Sequence, residues 1–238
     1  IGEACAAVFG AAGAKLVITG RNAQKLEATA AKLQAMNLTV LPILADAGSE
    51  ADNKRMAEEA LAAFGRIDIL INNAGIMDHF EPVGDISNLV WEKIMRVNLE
   101  GPMKAMRSAV RIFLKQGQGV ILNIASIGGL FGCRAGAAYT TSKHGLIGLT
   151  KNTGYFYAKD GIRCNAIAPG GVTTNILEGF DLDALSKKIK ERIMAGTITN
   201  PRYGEASEIG KVAAFLVSDQ SSYINGAILT IDGGWTAY

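Results

Sequence analysis

The chain has 238 residues, of which 49% are hydrophobic and only 19% are charged, so it can bury a large core and intrinsic disorder is excluded. Its 24 basic residues barely outnumber its 22 acidic ones, and no cluster of Lys and Arg stands out. This argues against a nucleic-acid partner and against a membrane partner. The three cysteines lie far apart without a Cys-x-x-Cys motif, and there are only two histidines. We therefore expect no disulfide framework, no bound metal and a reducing, cytoplasmic location.

Apolar runs of strand length alternate with longer helical patterns along the whole chain. Strands are predicted at residues 15–19, 39–45, 67–71, 120–125, 163–168 and 227–231. Helices are predicted at residues 3–12, 23–36, 50–64, 89–115, 139–158 and 205–217. This alternation predicts an α/β fold, a doubly wound Rossmann sandwich over residues 1–238 whose parallel sheet is covered by helices on both faces.

The start of the chain departs from this plan, because a helix begins at residue 3 with no strand before it. The first strand of a doubly wound sheet is central, and its turn into the first helix carries the phosphate-binding loop. We therefore expect the sheet to have a further strand that would precede residue 1.

A second departure lies between residues 171 and 202, where the alternation of strands and helices stops. This excursion contains a charged helix predicted at residues 182–194. Long insertions in α/β domains are usually lids or binding loops. We expect the excursion to be a mobile lid.

Tyr139 and Lys143 stand four residues apart near the start of a predicted helix, which places both side chains on one face. A phenol has a pKa near 10 and is a poor base at neutral pH, but an adjacent ammonium favours the phenolate and lowers that pKa. The pair is therefore a candidate acid/base group, although such pairs also occur on solvated helix faces.

Polar residues also follow two of the predicted strands. Ser126 comes directly after the strand at 120–125, and the run Asn72-Asn73-Ala74-Gly75 follows the strand at 67–71. Open α/β sheets bind their ligands at the carboxyl ends of their strands. The competing explanation is structural, because serines cap turns and Asn-rich turns are common without any function.

Taken together, these residues resemble the short-chain dehydrogenases/reductases, in the single-domain form typical of 3-oxoacyl-acyl-carrier-protein reductases. The matching motifs occur in the family's order and at its spacings over essentially the whole chain, with Tyr139 thirteen positions after Ser126. They are Asn72-Asn73-Ala74-Gly75, Val97-Asn98, Ser126, Tyr139-x-x-x-Lys143, Pro169-Gly170 and Asp232-Gly233-Gly234.

The resemblance implies a catalytic tetrad of Asn98, Ser126, Tyr139 and Lys143. Ser126 would orient the substrate carbonyl and Tyr139 would transfer the proton. Lys143 would lower the pKa of Tyr139 and bind the nicotinamide ribose. Asn98 would hold a water that links Lys143 to solvent. The hydride chemistry belongs to the cofactor, while the protein supplies alignment and proton transfer.

The resemblance also implies the cofactor contacts. Ile1 and Gly2 match the last two letters of the family's TGxxxGIG loop, and Asp46 matches the residue that contacts adenine. The remaining contacts would be made by Asn73, Ala74, Gly75, Tyr139, Lys143, Pro169, Gly170, Val172 and Thr174.

The choice between NAD and NADP depends on the end of the strand at 15–19. An acid there would bind the ribose 2′-hydroxyl of NAD, whereas an arginine accommodates the 2′-phosphate of NADP. Here Gly20 occupies the acid's position and Arg21 follows it. A guanidinium suits a phosphate, so NADP is predicted and NAD is the alternative.

We therefore expect an NADP(H)-dependent oxidoreductase of EC 1.1.1 type that interconverts a ketone or 3-oxoacyl group with its secondary alcohol. The alternatives are an NAD-dependent alcohol or sugar dehydrogenase of the same family and a non-catalytic dinucleotide-sensing protein on the same fold. The resemblance further implies a homotetramer that acts on a small molecule.

Overall fold

The structure is a computed structural model that describes residues 1–132, 134–178, 181, 183 and 185–237. The strands are β1 Leu16–Gly20, β2 Val40–Leu44, β3 Ile69–Asn72, β4 Gly119–Ile124, β5 Ile162–Pro169 and β6 Ile228–Ile231. The helices are α1 Gly2–Ala11, α2 Ala23–Ala35, α3 Glu50–Phe64, α4 Asn88–Met95, α5 Gly101–Gln116, α6 Ala137–Phe156, α7 Lys187–Thr197 and α8 Ala206–Val217.

All strand pairs are parallel, as predicted, but the strands form two sheets instead of one. β1 pairs with β2, and the second sheet has the order β3-β4-β5-β6. Both orders run outward from the middle, as in a doubly wound fold, and β1 and β3 are the inner edges of the two sheets.

Helices cover both faces of the larger sheet. Successive residues of β4 point to opposite faces, so Ile121 packs with Phe113 of α5, while Leu122 packs with Ile209 and Leu216 of α8. β4 and β5 are almost fully buried. The side chains of β1 and β3 are mostly half-buried, so the expectation that every strand is covered on both faces holds only for the middle of the larger sheet.

The helix predicted at residues 89–115 is interrupted. A π turn, Arg96–Glu100, separates α4 from α5 and includes Asn98. Pro102 lies in the first turn of α5 and has no N–H to donate to the carbonyl of Asn98, four residues earlier. The regular hydrogen-bond pattern therefore cannot continue through this point, and such π turns are frequent at functional sites.

The helix of the excursion begins later than predicted. α7 starts at Lys187 because the Ser186 side chain accepts a hydrogen bond from the N–H of Ile189 and caps the helix. Leu182 and Ala184, part of the predicted helix at 182–194, lie outside the described residues.

Candidate active site

The carboxyl edge of the larger sheet brings the predicted catalytic residues together. Ser126 follows β4, and the loop through Gly75 follows the neighbouring strand β3. α6 lies beside these loops and contributes Tyr139 and Lys143, which are only 6% and 3% exposed. The pair therefore does not lie on a solvated helix face.

Ser126 both caps a turn and faces the tyrosine. Its Oγ accepts a hydrogen bond from the N–H of Gly128 at 3.0 Å, and the same hydroxyl lies near enough to the Tyr139 side chain to lower its pKa. A Cβ atom at Gly128 would lie 3.3 Å from the serine Oγ and 3.4 Å from the tyrosine ring. Ser126 therefore caps the turn, as the structural explanation predicts, and also lies close to Tyr139.

Lys143 is held by the sheet. Its Nζ donates to the carbonyl of Ile124 at 2.8 Å and lies 5.6 Å from the centroid of the Tyr139 ring. Asn98 is fully buried, and its amide is fully engaged: Oδ1 accepts from the N–H of Ile76, while Nδ2 donates to the carbonyl of Ile76 and to Ser142 Oγ. The Asn98 side chain thus fixes the loop after β3.

In this structure burial outweighs the lowering of the Tyr139 pKa that was expected from Lys143. Burial raises the pKa of Tyr139 to about 12, with a smaller opposing effect from the hydrogen bond to Ser126 and a further increase from the charge of Asp78. Burial likewise lowers the pKa of Lys143 to about 8. Removal from water disfavours the charged form of both groups.

Two buried polar groups near the tetrad were missed by the sequence analysis. Asp78, only 1% exposed, accepts hydrogen bonds from the N–H groups of Gly136 and Tyr139 at the start of α6. Gly136 could have indicated this contact in the sequence, because a helix with glycine at its N-cap needs a capping side chain from elsewhere.

The second missed group is a row of side-chain amides across the sheet. Asn72 Nδ2 donates to Asn123 Oδ1 at 2.8 Å, and Asn123 Nδ2 donates to Thr150 Oγ1 at 2.9 Å. These bonds join β3, β4 and α6, the three elements that lead to the candidate site. An asparagine inside an apolar strand such as 120–125 was the signal, since buried amides need partners.

The structure offers features that fit a dinucleotide. No side chain caps α1, whose first residue is Gly2 after Ile1, so its N-terminal N–H groups can bind phosphate. A Cβ atom at Gly75 would lie 3.5 Å from Lys143 Nζ and 3.6 Å from Asn98 Oδ1. The absence of a side chain at Gly75 leaves room for a flat ring beside these two groups.

Arg21 and Asp46, the two residues predicted to contact the adenosine half of the cofactor, lie just after β1 and β2. Gly20 ends β1, and the exposed Arg21 follows it. Asp46 accepts hydrogen bonds from Arg96 Nη1 at 2.7 Å and from the N–H of Gly48 at 2.9 Å. These bonds and the nearby charge of Arg21 lower the pKa of Asp46. The carboxylate of Asp46 is thus already engaged with the first residue of the π turn.

The other predicted contacts follow β5. Pro169 ends the strand, and Gly170 donates its N–H to the carbonyl of Ile231. Val172 forms an isolated bridge with Gly204. Asn73, Ala74 and Thr174 lie in the loops around the same sheet edge, but none of their side chains has a described hydrogen bond there.

Neither a metal-binding cluster nor a membrane-spanning helix occurs among the residues that the structure describes. Within 1–132, 134–178, 181, 183 and 185–237, no group of three or more His, Cys, Asp or Glu side chains is arranged to hold a metal ion. Across the same residues, no helix combines the length and the apolar character needed to cross a bilayer.

Comparison with known proteins agrees with this geometry. A family model described as enoyl-(acyl carrier protein) reductase matches residues 1–236. The chain is 42% identical to 3beta-hydroxysteroid dehydrogenase 2 of Eggerthella lenta over 239 residues, which cover 100% of this chain and 91% of the relative. It is 37% identical to levodione reductase of Leifsonia aquatica over 243 residues, with 100% and 90% covered.

Solved structures share the architecture. The crystal structure of a levodione reductase superposes with a TM-score of 0.88 at 34% identity, covering 100% of this chain and 94% of that one. A gluconate 5-dehydrogenase from Burkholderia cenocepacia, crystallised with NADP and tartrate, superposes with a TM-score of 0.86 at 30% identity, covering 99% and 90%. The chain therefore belongs to the short-chain dehydrogenase/reductase family of NAD(P)-binding proteins and is an oxidoreductase that interconverts carbonyl and alcohol groups.

Proposed function

We propose that the protein is an NADP(H)-dependent oxidoreductase that interconverts a small-molecule ketone, or a 3-oxoacyl group, with its secondary alcohol, using Tyr139 as acid/base. The observation that supports this most directly is the cluster of buried Tyr139 and Lys143 with half-buried Ser126 at the carboxyl edge of the sheet. The relatives named for hydroxysteroid and levodione chemistry act on ketones or alcohols by name, which agrees with this class of substrate.

Each residue of the cluster has a role that its surroundings support. A bound nicotinamide supplies or accepts the hydride. Ser126 lies near enough to Tyr139 to affect its pKa, which supports a site where both hydroxyls hydrogen-bond one carbonyl oxygen. Burial keeps the phenol protonated at neutral pH, which suits proton donation during reduction. Pro102 has no N–H to donate to the main-chain carbonyl of Asn98, so we assign this carbonyl to hold the water of a proton relay to Lys143.

A substrate panel tests the proposal. Oxidation of NADPH and of NADH is followed by absorbance with cyclic ketones, sugars, small ketones and an acyl thioester. We expect turnover with at least one ketone or thioester and a higher kcat/KM with NADPH. No turnover of any member of the panel above that of a Tyr139→Phe variant would refute the proposal.

Cofactor preference is expected to depend on the end of β1. A Cβ atom at Gly20 would meet only Leu26, at 3.8 Å, so an aspartate fits there. In a Gly20→Asp/Arg21→Leu double variant, the guanidinium that would bind the 2′-phosphate of NADP is lost. The new carboxylate should accept a hydrogen bond from the ribose 2′-hydroxyl of NAD. Because charge-assisted hydrogen bonds contribute roughly 1.5–3 kcal/mol, we expect the ratio of the NADPH and NADH Kd values to shift about 100-fold towards NADH.

Fluorescence titration of each cofactor measures these Kd values. Arg66→Leu is the matched control, because Arg66 is also exposed but pairs with Asp68. Equal Kd values for NADPH and NADH in the unmodified protein would count against a role for Arg21.

We also propose that the protein is a homotetramer that associates in part through the outer faces of α5 and α6. These faces border an apolar depression of about 430 Å³, and the nearby Tyr155 and Phe156 are 80% and 65% exposed. Gly148 lines the depression, and a Cβ atom there would meet nothing within 4 Å. Gly148→Arg should therefore preserve the monomer fold but block association of the helices.

Light scattering at micromolar concentration measures the assembly. We expect a tetramer mass for the unmodified protein and a smaller mass for Gly148→Arg. Gly84→Arg is the control, since a Cβ atom at Gly84 also meets nothing within 4 Å and the residue lies outside these helices. A monomer mass for the unmodified protein would overturn this prediction.

The excursion at 171–202 is expected to become ordered on cofactor binding. Val172 at the start of the excursion packs against the apolar core, but α7 has no buried residue and the contacts named next are polar. Glu178 pairs with Lys25 of α2 at 2.9 Å, while Arg134 and Trp235 Nε1 both donate to the carbonyl of Gly196. Exposed ion pairs are worth at most about 1 kcal/mol, so the opening free energy should be low.

Hydrogen exchange measures this opening. Peptides covering residues 177–195 should exchange quickly in the protein alone and become protected with NADP(H), because lids close over bound ligands. Peptides from α8 are the internal control and should stay protected in both states. Equal protection of residues 177–195 in both states would show a rigid wall instead of a lid.

A further inference from the structure

The helix that carries Tyr139 begins without a cap of its own. α6 runs for 20 residues from Ala137, and its N-cap residue is Gly136, which has no side chain. The first N–H groups of a helix lack partners within the helix and need acceptors from elsewhere. Tyr139 is the third residue of α6, so the placement of its side chain depends directly on how this first turn is held.

The acceptors come from the loop that follows β3. Asp78 Oδ2 accepts a hydrogen bond from the N–H of Tyr139 at 2.8 Å, and Asp78 Oδ1 accepts one from the N–H of Gly136 at 3.0 Å. The carbonyl of Glu81 accepts a third bond, from the N–H of Ala137 at 2.8 Å. Asp78 thus does for α6, from a distant part of the chain, what an N-cap side chain does for other helices.

The fit between Asp78 and Gly136 is close. The Asp78 side chain is 1% exposed, and a Cβ atom at Gly136 would come within 2.6 Å of both carboxylate oxygens. A buried carboxylate is unfavourable unless it is hydrogen-bonded, and here main-chain N–H groups and the positive end of the helix dipole stabilise it. Only glycine at position 136 leaves space for this arrangement.

The same loop is fixed on its other side by the tetrad. Ile76, two residues before Asp78, exchanges two hydrogen bonds of 2.9 Å with the amide of Asn98 in the π turn. The loop therefore joins the π turn to the start of α6. A change at Asp78 would release the first turn of α6 while the contact between Ile76 and Asn98 remains.

We propose that Asp78 is a positioning residue for the reaction: its carboxylate holds the first turn of α6 and so keeps the side chain of Tyr139 in place near Ser126. This inference rests on the proposed acid/base role of Tyr139. Asp78 does not touch the reacting atoms: it acts through the main chain of Gly136 and Tyr139, and its charge adds to the raised pKa of Tyr139.

The test first removes the carboxylate of Asp78. Asp78→Asn is nearly isosteric but turns an N–H donor towards the N–H of Gly136 or Tyr139, and Asp78→Ala removes the acceptor. Small errors of placement can reduce turnover by about 100-fold. We therefore expect kcat to fall by about 10- to 100-fold in both variants, while the Kd for NADPH, measured by fluorescence titration, changes less than twofold.

A second variant provides the rescue. Gly136→Asp alone should clash with Asp78 and reduce kcat. In the Asp78→Ala protein, Gly136→Asp places a carboxylate at the N-cap, where it can accept from the N–H of Tyr139. Gly136 has φ −77° and ψ 179°, which an aspartate adopts without strain. The kcat of the double variant should be at least tenfold higher than that of Asp78→Ala alone.

Two further variants separate the possible outcomes. Glu205→Ala removes a side-chain cap from α8 and controls for loss of helix stability, so it should leave kcat near that of the unmodified protein. Tyr139→Phe is measured in parallel: if it keeps full activity, the proposed function fails, whereas full activity of the Asp78 variants with an inactive Tyr139→Phe refutes only the role of Asp78. A loss that the double variant does not recover, or an Asp78→Asn protein that does not fold, also overturns the proposal.

Discussion

Tyr139→Phe is expected to reduce kcat by about 1,000-fold, because general acid–base groups typically contribute 10²–10⁴-fold. The variant removes one hydroxyl and leaves the ring, which is 6% exposed and lies against Gly128. The fold and the Kd for NADPH should therefore change little. The effect should appear in both directions of the reaction, since one group donates the proton in reduction and accepts it in oxidation.

Initial-rate kinetics with the best substrate of the panel measure this effect, together with a thermal melt of each variant. Tyr155→Phe is the matched control, because Tyr155 is on the same helix but is 80% exposed. Retention of more than a tenth of the kcat by Tyr139→Phe would falsify the assignment of Tyr139 as the acid/base group.

Lys143→Met is expected to abolish most activity and yet stabilise the cofactor-free protein at pH 6.5. Burial lowers the pKa of Lys143 to about 8 from an ordinary value of 10.5. A lowered pKa means that the folded state holds the proton less tightly than the unfolded state. The folded protein therefore carries an unfavourable buried ammonium below about pH 8, and its stability rises between about pH 8 and 10.5.

The size of this stabilisation follows from the pKa shift of Lys143. A difference of about 2.5 pKa units corresponds to about 3 kcal/mol, from which loss of the hydrogen bond to the Ile124 carbonyl removes about 1–2 kcal/mol. The free energy of unfolding of Lys143→Met should thus exceed that of the unmodified protein by about 1–2 kcal/mol at pH 6.5, and this difference should vanish at pH 10.

Urea unfolding at pH 6.5 and at pH 10 measures both values. Lys54→Met is the control, because the side chain of Lys54 is 76% exposed and its removal should not stabilise the protein at either pH. A Lys143→Met protein that is less stable than the unmodified protein at pH 6.5 would show that the ammonium is better paired than the structure indicates.

The fold was largely predictable because its signals are local. The continuous apolar runs gave all six described strands to within two residues, and Ser49 and Gly65 mark the ends of α3. The interruption at Asn98 was not predicted, although Pro102 is visible in the sequence. A helical pattern of apolar residues does not reveal one inserted residue, and the consequence of a missing N–H appears only when the hydrogen bonds are followed.

The sequence alone determined the architecture, the family and the residue types of the candidate site, since these follow from short-range periodicity and from motifs with fixed spacing. Tertiary structure alone decided that burial governs the pKa values of Tyr139 and Lys143, because desolvation depends on what surrounds a group and not on its neighbours in sequence. It also decided that Asp78 caps a helix that begins 59 residues further along the chain, at Ala137. No local pattern joins residues so far apart; only the packing of the loop after β3 against α6 brings the carboxylate to the N–H groups that need it.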